Sequence, residues 1–196
     1  MEKIDRAWGY LCKITESENH FNDLVFRIRA LSSTWLLASF AGIGFILTRD
    51  FDIGVTKPLL TLGISILAAF GLILLWMMDI LVYQNLLAAN FEEGLNIEND
   101  FPDLPQIRHK MVASQPKGSV RTRIVWFHIA MIVGALTPGF VICIFWLLNV
   151  RPNLVVLMIL IFVVMTIGIG AFIYFKSIPD DRKDGNRRST VVGSRS

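Results

Sequence analysis

Two ionisable residues stand where such residues are costly. Asp79 closes the apolar run LLTLGISILAAFGLILLWMM, and His128 lies about one turn inside another, IVWFHIAMIVGALTPGF. An acid and a base in apolar surroundings can hold one another as a pair, and inside a membrane such groups mark functional positions by default. Both lie at the end of their runs where arginines gather. Arg27, Arg29, Asp79, Arg123 and His128 are therefore expected to form a polar collar at one boundary. The competing arrangement has each side chain snorkelling separately to water. A pH-sensing role for His128 has no second feature of the sequence behind it.

Other chemistry finds little footing. Arg123 and His128 match an R-x4-H spacing seen in small RNA-cleaving domains, but Ile124 stands where such sites prefer a polar residue. His128 also lies inside an apolar helix, where RNA does not reach. Three histidines and two cysteines are scattered without metal-ligand spacing, and Cys12 and Cys143 imply no disulfide framework. Phosphate-cradling glycine loops and nucleophile elbows are missing. The expectation is a non-enzymatic protein without cofactor or metal. The deep polar residues are Ser39, Thr61, Ser65, Thr137, Cys143 and Thr166, which argues against substrate transport. A pore built from these helices would be mostly apolar and gated by dewetting.

The elements that position Asp79 and His128 follow from hydropathy. The chain has 196 residues, 54% of them hydrophobic, with unbroken apolar stretches that a soluble domain of this size has no reason to carry. In lipid only helices and closed barrels satisfy every backbone group, and the runs lack the two-residue alternation of a barrel. The predicted fold class is an all-α polytopic membrane protein with spans at 30–48, 58–80, 124–149 and 152–175. Of 19 Lys and Arg, only Arg49, Lys57 and Arg151 lie in the tight connections 1–2 and 3–4. The positive-inside rule then places both termini and the 2–3 loop in the cytoplasm. Topology accounts for the basic residues, so no direct nucleic-acid partner is expected.

Residues 1–29 are predicted to form amphipathic cytosolic helices. Ile4, Ala7, Trp8, Leu11 and Ile14 fall at helical spacing, with Lys3, Arg6 and Lys13 elsewhere on the wheel. This helix would lie on anionic lipid or pack on the protein's own cytosolic helices. Thr15 and Glu18 fit a capping box that would start a second helix near residue 16. Trp35 suits the aromatic belt, and the Ala38, Ala41, Gly42 and Gly44 surface allows close helix approach. In the third span, Pro138 and Gly139 predict a kink.

The run from Leu59 to Leu95 is longer than a bilayer needs. About 35 helical residues extend roughly 50 Å, against a hydrocarbon slab of about 30 Å. The second helix is thus expected to project into the cytosol over 81–95, with Gly94 as its C-terminal cap. Tyr83, Leu86, Leu87 and Phe91 continue an apolar face there and end in Glu92 and Glu93, which oppose the helix dipole and call for a basic partner such as Arg108 or Lys110. These six residues are the expected docking surface for a cytosolic protein. The loop 96–123 switches from acidic to basic around Pro102 and Pro105, and could fold back on the long helix or bind a partner through its charges. The tail 176–196 is polar, basic and expected to be disordered.

Size, four spans and the helical extension through residues 83–91 resemble the small four-span membrane components of bacterial antiphage defence systems, of which the Kiwa membrane component is one. The resemblance implies a membrane sensor or anchor that holds a soluble effector on the inner face. A unit of four helices has little room for its own solvent path, so a symmetric homo-oligomer, a tetramer, is expected. Three functions stay open: a sensor or scaffold that recruits an effector, an ion-conducting effector that depolarises the membrane, and a small transporter.

Overall fold

The computed structural model describes residues 2–49, 56–114 and 119–177. The expected disordered tail beyond residue 177 and the middle of the first tight connection lie outside these. The described residues are helical, joined by short turns: α1 Glu2–Thr48, α2 Lys57–Met77, a π-helical turn Met78–Tyr83, α3 Gln84–Asp100, α4 Ile107–Ser114, α5 Ser119–Val150 and, after a single 3-10 turn, α6 Val155–Ser177. Four helical stretches are long and apolar enough to cross a membrane.

Helix α1 is one rod of 47 residues, about 70 Å long. The expected break near residue 15 does not occur. Thr15 donates to the Leu11 carbonyl one turn back, as a mid-helix hydroxyl does, instead of capping a new helix. A single face explains the continuity. Ala7, Leu11, Val25, Ser32, Ile43 and Ile46 are buried at separations built from threes and fours. Ala7 and Leu11 are thereby turned into the protein, which favours packing on its own helices over a position flat on lipid.

The second rod is α2, the π-helical turn and α3, helical without interruption from Lys57 to Asp100. It runs antiparallel to α1. Trp35 donates its indole N–H to the Ala68 carbonyl at 3.1 Å, and Asn90 donates to Ser17 Oγ at 2.9 Å. Gly71 makes the first contact feasible, since a Cβ there would stand 2.7 Å from the Trp35 indole nitrogen. The belt residue Trp35 is thus a knob between helices.

Helix α5 lies antiparallel to α2 on another side, and this pair forms the core. Ala68, Ala69, Leu72, Trp76 and Ile80 meet Val125, Ile132, Ala135, Leu136 and Phe140. Helix α6 leans on them through Met158, Phe162, Met165, Ile169 and Ile173, again at spacings of three and four. Its opposite side, with Val156, Leu160, Val164 and Ile167, is exposed. Pro138 lies inside α5, which stays helical through it. Its neighbour Gly139 sits where a Cβ would come 2.6 Å from Ser65 Oγ and 2.9 Å from the Leu62 Cα, so the two backbones touch there.

This contact sets how closely α2 and α5 approach. Gly139→Val should lower the midpoint of thermal unfolding in detergent, overpacking costing about 1–3 kcal/mol. Gly134→Val, whose Cβ would meet nothing within 4 Å, should leave the midpoint unchanged. Equal effects of the two substitutions would remove the argument.

Candidate functional site

Asp79 enters the structure through an irregularity in its helix. The π-helical turn Met78–Tyr83 adds a residue to one turn, and both Asp79 and Ile80 are buried there. Such turns recur at functional sites because they re-aim a side chain that the regular spiral would place elsewhere. Asp79 faces α1 on one side and α5 on the other. Arg29 Nε donates to Oδ2 at 2.8 Å and Nη2 to Oδ1 at 3.3 Å, a two-pronged grip across 50 residues of sequence. His128 Nε2 lies 2.9 Å from the same Oδ2. A carboxylate only accepts, so His128 carries its proton on Nε2.

Three helices therefore meet at one carboxylate. The side chains of Asp79 and His128 are 0% and 1% exposed, and Arg29, at 31%, alone reaches the surface. Ser32, one turn beyond Arg29, is also fully buried and donates to the Ile28 carbonyl. With its base and acid enclosed, this cluster holds charge and fixes helices; a substrate would have to displace packed side chains to reach it. Of the expected collar, Arg29, Asp79 and His128 come together. Arg27 instead pairs with Asp23 on its own helix, where both are mostly exposed and the bond contributes little. Arg123 is exposed and lies across a groove from Arg29. The R-x4-H pair is thereby split, with its histidine occupied by Asp79.

A second polar cluster lies at the far end of the paired rods, and the sequence pattern did not single it out. Beyond Asp100 the chain turns back through residues 101–106, and α4 returns to the stalk formed by α1 and α3. Gln106 Nε2 donates to the carbonyls of Glu98 and Leu104, at 2.8 and 3.1 Å. The Glu98 carboxylate accepts both the Arg108 backbone N–H, at 3.1 Å, and the His109 N–H, at 3.3 Å. It thus caps the start of α4, where free N–H groups and the helix dipole favour an anion. His109 Nδ1 adds a contact at 3.0 Å to Oε2.

Arg108 then ties this turn to α1. Its guanidinium grips Glu18 through Nη2 at 2.8 Å and Nε at 3.3 Å, and Nη2 also reaches Thr15 Oγ1 at 3.2 Å. The opposite edge faces Glu98, with Nη1 at 3.5 Å from Oε1. Gly94 permits this, because a Cβ there would overlap the guanidinium. The expected roles change accordingly. Gly94 is an opening for Arg108 within α3, which runs on to Asp100, and is no C-cap. Thr15 and Glu18 receive the arginine instead of forming a capping box. Arg108 serves Glu18 and Glu98, while Glu92 and Glu93 stay exposed.

The remaining expected docking residues divide by face. Leu87 and Phe91 line a groove between α1, α3 and α4 that also includes Glu18, Asn22 and Met111. Tyr83 is half-buried, and Leu86 is exposed. The sequence signal that could have found the second cluster was the switch from acids at 92–103 to bases from Arg108 onward. What it lacked was the partner on α1. No protein-family model, curated protein or solved structure matches this chain.

Burial acts most strongly on Glu98 and would raise its carboxyl. The His109 hydrogen bond, the two backbone N–H groups and the Arg108 charge outweigh it and hold the group below the ordinary 4.5. A lowered folded-state value stabilises the fold-back fully above the ordinary value and loses that contribution as pH falls through the folded one. Hydrogen-exchange protection of residues 107–114, corrected for intrinsic rates, should stay level from pH 7 to about 5 and fall only below about 4.5. Glu98→Gln should lower it already at pH 7. Protection at pH 7 left unchanged by Glu98→Gln would remove the argument.

For the Asp79 cluster, removing one partner is the informative change. Asp79→Leu strands Arg29 and His128, at a cost of about 3–5 kcal/mol for fully buried pairs and less here because Arg29 reaches the surface. Asp79→Leu combined with Arg29→Met should recover part of the lost thermal stability in detergent. A double variant as unstable as the sum of its single changes would deny the coupling.

Proposed function

We propose that this chain is a non-enzymatic membrane scaffold or sensor whose helical stalk holds a soluble partner near the membrane surface. The observation that carries this reading is the length mismatch of the two paired rods. Helix α1 extends about 70 Å, while a hydrocarbon slab takes up about 30 Å, so some 40 Å of paired helix lies beyond it. In this reading residues 30–48, 58–80, 124–149 and 152–175 cross a bacterial inner membrane, and the clustering of basic residues at 1–29, 108–123 and the tail supports a cytoplasmic position for those segments.

The wide apolar surfaces of α1 and α6 suit contact with lipid and with further copies of the chain, and a symmetric homo-oligomer presents several stalks together. The stalk carries what a docking surface needs. Leu87 and Phe91 line its groove, Leu86 is exposed, and Glu92 and Glu93 offer negative charge beside them. Antiphage defence is the setting that the layout resemblance suggests, with the partner a soluble effector.

The test separates docking from folding. Leu86→Asp with Glu92→Lys and Glu93→Lys changes exposed stalk positions only. Co-purification of a soluble cytosolic protein that the tagged wild-type chain retains should fall about tenfold or more, as loss of a hot spot of roughly 1.4 kcal/mol or more requires. The size of the detergent-solubilised oligomer should not change. Full retention of the partner by this variant would sink the proposal.

A further inference from the structure

A second feature of the Asp79 region faces outward. Helices α1 and α5 run parallel there, and between them lies a groove lined by Phe26, Arg29, Ala30, Arg123, Ile124 and Phe127. Its two cations differ in how they are held. Arg29 is anchored from behind, because Asp79 engages Nε and Nη2 and leaves Nη1 without a partner among the described residues. Arg123 is exposed, with no such anchor among the described residues. Beyond them the lining is apolar except for Ser33, and both helices continue from the groove into their uncharged stretches, 30–48 and 124–149.

The geometry points to this groove as a binding site for an anionic phospholipid, its phosphate held by Arg29 and Arg123 and an acyl chain lying over Ala30, Ile124 and Phe127. The inference rests on the membrane reading above. Three features select this ligand. A phosphate matches planar guanidinium donors through two oxygens at once. Basic recesses between membrane helices on the cytoplasmic side are where anionic headgroups bind. An acidic peptide would satisfy the arginines equally, but the apolar floor descends along the helices, a path that an acyl chain follows and a peptide backbone does not. Asp79 acts here as a positioning residue. It fixes the plane of the Arg29 guanidinium and so presents one edge to the groove, while Arg123 supplies the charge that Asp79 does not neutralise.

The experiment uses the full-length protein, purified in detergent, stripped of lipid and offered phosphatidylglycerol or phosphatidylcholine of matched chains. Bound lipid is counted by native mass spectrometry. Phosphatidylglycerol should be retained in preference to phosphatidylcholine. Arg123→Gln should weaken that retention roughly fivefold, one basic residue's contribution beside an anionic headgroup. Arg123→Lys should restore part of it. Lys3→Gln with Arg6→Gln, which removes charge from the far end of α1, should change nothing. Because Arg123 is exposed, its substitution should leave the melting midpoint unaltered, which keeps the result interpretable.

Equal retention by the wild type and Arg123→Gln would overturn the site. Displacement of the lipid by millimolar inorganic phosphate, with the same dependence on Arg123, would also overturn it by assigning the groove to a soluble anion. Failure of the membrane reading looks different: the protein would then wash out of membranes in alkaline carbonate, whatever its lipid preference.

Discussion

One carboxylate holds the apolar part of this molecule together. Asp79 is engaged by Arg29 from α1 and by His128 from α5, while its own helix carries the core. The consequences reach further than the bonds themselves. A buried ion pair is a modest source of net stability, because desolvation consumes most of what the attraction supplies. It is a strong source of specificity. An apolar stripe with spacings of three and four can slide or rotate against another at little cost, since many registers bury comparable surface. A carboxylate with two fixed partners allows one register, because every other leaves charges unpaired. Arg29 sets the α1 register and His128 sets that of α5.

The same arrangement is repeated at the far end, with the signs exchanged. There a single cation, Arg108, joins Glu18 of α1 to Glu98 of α3, and the Glu98 carboxylate in turn caps α4. The paired rods are thus pinned twice, once near the edge of their apolar half and once near the tip. Close to the second pin Asn90 also donates to Ser17 Oγ. A π-helical turn lies at the first of these pins and buries Asp79 there.

Glycine plays a related part at three places. Gly71 admits the Trp35 indole, Gly94 admits the Arg108 guanidinium, and Gly139 admits Ser65 and the α2 backbone. In each case the lack of a side chain matters for the neighbour that fits against it, and the helix continues unbroken. Helical glycines elsewhere, such as Gly42, Gly44 and Gly168, face open space and carry no such demand. The distinction cannot be made from composition, since glycine is common in apolar helices whatever it touches.

The amino-acid sequence by itself determined the four apolar helices, the overlong second rod and the presence of costly charges at Asp79 and His128. These are local properties: run length and residue type decide them within one segment. It also narrowed the partners of Asp79 to a few arginines and one histidine. Only the tertiary structure decided that Arg29 and His128 meet the acid while Arg27 and Arg123 do not. Arg27 and Arg29 are two residues apart and so point to different sides of α1. Which side faces α2 depends on the rotation of both helices, and on an extra residue in the π-helical turn that no periodicity announces. The same reason hid the Arg108 cluster. Its two acids, Glu18 and Glu98, lie 80 residues apart in the chain, and Gly94 looks like a helix end until the side chain that needs the space is in view.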